Sequence, residues 1–130
     1  MRLSSDVAVL GRDDDGELPR MRVALRGQPL AALIPGAVPD AQASLAGGGC
    51  VLVTTDDVPY EETLHVVLLD ADGRIHEERR ITRPSPGVVR DVAAEGDTLS
   101  FRFRGDRITE VRVAPRRLFG RRLRVTERPG

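Results

Sequence analysis

The chain has no lysine and no tryptophan, one cysteine, and only four aromatic residues, Tyr60, Phe101, Phe103 and Phe119. The single cysteine, Cys50, excludes an intrachain disulfide framework and a cysteine-based zinc site. The absence of lysine excludes a phosphate-binding loop at Gly47-Gly48-Gly49, which would require Lys-Ser or Lys-Thr after its glycines. The shortage of aromatics predicts an aliphatic core and argues against a base-stacking platform for single-stranded nucleic acid. Long apolar runs are missing too. The longest uncharged stretches, residues 27–39 and 41–55, are broken by prolines or glycines and are too short to span a bilayer. Asp6 interrupts the N-terminal stretch, so no signal peptide is read there, and the cytoplasm is the expected compartment. No long amphipathic helix and no solenoid-length repeat is visible.

What is present is a chain of 130 residues, 40% hydrophobic and 31% charged. That length suits one domain, 1–130, able to bury about two thirds of its unfolded surface. Strand patterns dominate. Met21, Val23 and Leu25 alternate with arginines, as do Leu99, Phe101 and Phe103 with Ser100 and Arg102, and Leu123 and Val125 with Arg122 and Arg124. Leu64 to Leu69 is apolar on both faces except for His65, which predicts a central strand. Asp72-Gly73 and Gly105-Asp106 sit between such runs at hairpin distance. After the second turn the apolar residues fall out of step, and a β-bulge at Thr109-Glu110 is expected to return Val111 and Val113 to the phenylalanine face. Residues 27–49, rich in proline and glycine, read as an irregular excursion, with 40–46 as either one short helix or loop. Pro129 and Gly130 read as a frayed end. The expected fold is all-β: an antiparallel β-sandwich or barrel-like meander of about eight or nine short strands, with at most one short helix.

Candidate chemistry is sparse. Residues 54–62 hold four carboxylates and the single tyrosine, so Asp56, Asp57, Tyr60, Glu61, Glu62 and the following His65 are the candidate catalytic or ligand-binding set. The ordinary reading of that stretch is an acidic surface loop. Asp70-Ala71-Asp72-Gly73 resembles the start of a calcium loop, but its twelfth position is Ile81 rather than an acid, so a hairpin turn is expected. His65 and His76 fall three to four residues apart along the candidate hairpin registers, too far for one ion. His65 is expected half-buried and hydrogen-bonded, His76 exposed. Cys50 has no visible base and reads as a buried strand residue. No metal and no cofactor is implied.

The formal net charge of zero conceals a gradient. Residues 1–98 carry ten arginines against seventeen acids, and residues 99–130 ten against three. Arg116, Arg117, Arg121 and Arg122 are the candidate contacts for a polyanion or a protein partner. Their ordinary reading is an outer strand face neutralised by acids of neighbouring strands. The function expected first is a non-enzymatic protein-interaction module that self-associates into a homo-oligomer. A small-molecule binder or enzyme with a polar site near residues 54–65 comes second, and nucleic-acid or other polyanion binding through the C-terminal arginines third.

Overall fold

The computed structural model describes residues 1–57, 62–83, 87–103, 105–115 and 121–130, with the backbone alone at Glu62 and Arg83. In chain order the strands are β1 (Arg2–Leu3), β2 (Val7–Asp13), β3 (Arg20–Leu25), β4 (Gln28–Pro29), β5 (Ile34–Pro35), β6 (Val38–Ser44), β7 (Cys50–Thr55), β8 (Glu62–Leu69), β9 (Ile75–Arg83), β10 (Arg90–Glu95), β11 (Thr98–Arg102), β12 (Ile108–Val113) and β13 (Leu123–Arg128). The fold is all-β, and no helix occurs among the described residues, so none is long and apolar enough to cross a membrane. Since β1, β4 and β5 are two residues each, the number expected from patterned runs lies close to the number of longer strands.

The strands form three antiparallel sheets. The middle one has the order β1-β6-β7-β8-β9. One of its faces carries Val51, Val53, Leu64, Val66 and Leu68, packed against Leu99, Phe101, Phe103, Val111, Val113 and Leu123 of the segment forming β10-β11-β12-β13. Its other face carries Cys50, Leu52, Val67 and Leu69, packed against Val7, Met21, Val23, Leu25 and Ile34 from β2, β3 and β5. The sandwich therefore has three layers and two cores. A strand covered on both sides has no polar face to show, so β7 is buried along its whole length and β8 reads as a continuous apolar run. Outer strands keep the two-residue alternation, as in β11, where Leu99 and Phe101 are buried and their neighbours half-buried.

Two local expectations are corrected. Residues 40–46 form no helix, and only 45 and 46 lie in a turn. Residues 40–44 belong to β6, whose Ala41 and Ala43 face the core in alternation. Small inward residues and a flanking proline hide that strand from a propensity reading. The wider 27–49 stretch also holds β4 and β5. At its corner Gly36, φ 110°, donates its amide to Pro19, while Ala37 bonds to Thr55 on β7. A Cβ on Gly36 would lie 2.2 Å from Thr54 Oγ1, so this crossing from outer to middle sheet requires glycine. The second correction concerns β12, which carries no bulge. Phe101 faces Thr109 and Leu99 faces Val111 in unbroken register. Thr109, Val111 and Val113 point inward and Ile108 outward. The buried Thr109 occupies the position an apolar residue was expected to fill.

The Asp72-Gly73 hairpin forms as expected between β8 and β9. Gly73 adopts φ 82° and donates to the Asp70 carbonyl. Asp70 Oδ1 accepts the amides of Asp72 and Arg74, both at 3.0 Å. Its carboxylate thus closes a turn.

Candidate functional site: a buried histidine–aspartate pair and an arginine face

The structure divides the acidic candidates. Asp56 directly follows β7 and His65 lies on β8, where it stands opposite Thr54. Their side chains meet, His65 Nε2 lying 2.7 Å from Asp56 Oδ1, and both residues are under 5% exposed. With the carboxylate as acceptor, Nε2 carries the proton and the ring orientation is fixed. Asp57 follows with φ 59° and turns out to solvent, a conformation aspartate tolerates better than most residues. Glu62 opens β8 by its backbone. Tyr60 and Glu61 lie outside the described residues.

His65 forms part of the floor of a groove of about 230 Å³ lined also by Leu18, Arg20, Pro35, Glu78, Arg79 and Arg80. Thr54 Oγ1 donates to the Pro35 carbonyl at 2.6 Å and ties the two sheets beside it. On the next residue, Thr55 Oγ1 donates to Asp40 Oδ2 at 2.6 Å. Burial raises the Asp40 carboxyl above its ordinary range. The Thr55 hydrogen bond opposes that shift, and the Asp57 charge adds to it. Sequence reasoning missed Asp40, since only the β6–β7 register brings it beside Thr55. His76 is exposed, as expected. Burial pushes the Cys50 thiol up to about 11, against a lowering by Arg26; such a thiol is a poor nucleophile at neutral pH.

Arg116 and Arg117 lie outside the described residues, but Arg121 and Arg122 lead into β13. There Glu77 of β9 reaches across from the middle sheet. Its two carboxylate oxygens accept the amides of Arg122 and Leu123 at 2.7 and 2.9 Å. Several C-terminal arginines meet acids close by. Arg102 pairs with Asp91 at 3.4 Å, Arg107 with Glu127 at 3.6 Å, and Arg112 with Asp97 at 3.7 Å. Arg128 pairs with Glu110 on the neighbouring strand at 2.5 Å. These pairs neutralise other arginines of the C-terminal quarter, and none of them involves Arg121 or Arg122.

The chain matches no protein-family model, no curated protein and no solved structure. Function is therefore to be read from the side chains themselves. The His65–Asp56 pair can orient an imidazole toward a groove, and the arginine face can hold negative charge.

Proposed function

We propose that this chain is a non-enzymatic protein-interaction module that self-associates through β2. The observation that carries the reading is Leu10, 56% exposed beside Val9 at 44%, on a strand that among the described residues has a sheet neighbour on one side only. An edge strand presenting large apolar side chains is a ready pairing surface. Leu18, 37% exposed on the following loop, adds to it.

The main chain supports the same surface. Arg26 donates its amide to the Asp6 carbonyl, so antiparallel alternation turns the amides and carbonyls of Val7 and Val9 away from β3. At Val7 the Gln42 side chain satisfies both groups, Oε1 accepting at 2.8 Å and Nε2 donating at 3.0 Å. At Val9 the outward pair faces the open edge, and the ladder shifts register before Gly11. The free edge is short, which favours a defined contact between two copies over indefinite stacking. A two-fold axis at Leu10 would set identical patches together. The His65–Asp56 pair, by contrast, is mutually hydrogen-bonded and needs no ligand to account for it. The single buried thiol suits a reducing compartment, and the cytoplasm is the compartment proposed.

Light scattering after gel filtration over a concentration series tests the reading. The expected result is a mass above the monomer, reduced to the monomer in Leu10→Asp. The variant's melting temperature should stay close to wild type, because an exposed side chain contributes within about 0.5 kcal/mol to folding. A strict monomer at every concentration and salt, or an oligomer indifferent to Leu10→Asp, overturns it.

A further inference from the structure

Arg112 of β12 and Arg124 of β13 stand directly opposite each other. Like charges in that position destabilise a strand pair. The fold contains a comparable juxtaposition, Arg90 opposite Arg102 on β10 and β11. There the chain supplies the counter-charge itself: Asp91 Oδ2 lies 3.6 Å from Arg90 Nη1 and 3.4 Å from Arg102 Nε. Among the described residues no carboxylate does this between Arg112 and Arg124. Asp97 approaches Arg112 alone, at 3.7 Å, with both side chains more than half exposed, a geometry that contributes little.

Arg112, Arg121, Arg122 and Arg124 line, with Ala114 and Leu123, a depression of about 310 Å³ that has no acid in its described lining. The rim is held from two sides. Arg122 Nε donates to the Ala114 carbonyl at 3.0 Å, which fixes one guanidinium. Glu77, committed to the Arg122 and Leu123 amides, anchors the start of β13. Guanidinium groups bind tetrahedral and planar oxyanions in a forked, two-bond geometry that an ammonium does not offer.

We propose that this depression is a binding site for a small multivalent oxyanion of the phosphate class, which takes between Arg112 and Arg124 the place that Asp91 takes between Arg90 and Arg102. Arg112 and Arg124 hold it across the ladder, and Arg121 and Arg122 supply the remaining positive charge. The site is independent of the β2 edge. It also accounts for an opposed arginine pair that otherwise only weakens the sheet.

Calorimetric titration with sodium pyrophosphate, against sodium chloride at matched ionic strength, tests it on the full chain. Saturable binding at a single site is expected, together with a rise in melting temperature that chloride does not reproduce. Arg124→Thr should lose binding at least tenfold yet melt no lower than wild type in chloride, because the mutation removes a like-charge opposition. Arg74→Gln, in the β8–β9 hairpin, should keep both binding and stability. If Arg124→Thr does not fold, Arg112→Gln serves in its place. Absence of saturable binding, an effect matched by chloride, or binding undiminished in these site variants overturns the proposal. Binding of a single-stranded oligonucleotide without binding of pyrophosphate also overturns it, in favour of an extended polyanion face.

Discussion

Asp40 shows how much one half-buried carboxyl group can report. Its pKa is raised in the fold by desolvation first, with the Asp57 charge adding and the Thr55 hydrogen bond opposing. Between its unfolded and folded pKa values the native state holds more protons than the unfolded chain. Stability then falls as pH rises through that window and remains lower above it. Asp40→Asn removes the titration while its amide oxygen still accepts the Thr55 hydroxyl. Urea denaturation from pH 3 to 8 should therefore show a flatter profile for the variant and greater stability than wild type near neutrality. A variant as pH-dependent as wild type would contradict this account. At the same scale, residue types were more legible than their partners. Asp56 stood out as one of four clustered carboxylates and His65 as the polar residue of an apolar strand, but only folding shows that Asp56 is buried, that the two meet and that Asp57 turns away. Thr109 was misread because a threonine suits either face of a strand, so alternation alone could not place it.

Among the elements, the joint between β9 and β13 has the clearest physical consequence. Glu77 replaces a missing neighbour strand by accepting the amides of Arg122 and Leu123 on a different sheet. Glu77→Ala should destabilise the fold by about 1–3 kcal/mol, the cost of leaving such donors without their charged acceptor. Amide exchange at Arg122 and Leu123 should accelerate while Val111, deep in β12, stays protected. Equal exchange at all three sites in wild type and variant would exclude the joint. Nothing in the β9 sequence marks Glu77 out, since Glu77 and Glu78 stand side by side before two arginines with the same appearance, and backbone amides have no sequence signature. The hairpins were legible, because Asp-Gly and Gly-Asp turns are local chemistry. The strand at residues 38–44 was not, because its inward residues are alanines, Pro39 lies within it and Gly47-Gly48-Gly49 follow it, features that local rules assign to loops.

For the whole molecule, the two cores share β7 and β8, so neither outer sheet has an independent foundation. Phe101 fills one core and Met21 the other, both essentially inaccessible to solvent. Phe101→Ala should cost about 3–5 kcal/mol and Met21→Ala about 2–5 kcal/mol. Each should shift one common calorimetric transition rather than split it, since loss of either layer exposes the same two strands. Two resolved transitions in either variant would show that the layers unfold separately. The charge gradient also resolves at this scale. Asp91 and Asp97 lie in the acidic part of the chain, yet they pair with Arg102 and Arg112 of the basic part, so some of the imbalance along the sequence is cancelled within one sheet.

Burial of β7 on both faces has one more consequence. In outer strands such as β13, alternate positions face water and are open to substitution at little cost. In Cys50–Thr55 no position is. Over evolutionary time the outer strands can therefore exchange about half their letters while this six-residue segment holds nearly all of its own. A distant relative would be recognised by that short apolar stretch, and by the hairpin partner that covers it, before any charged residue on the surface.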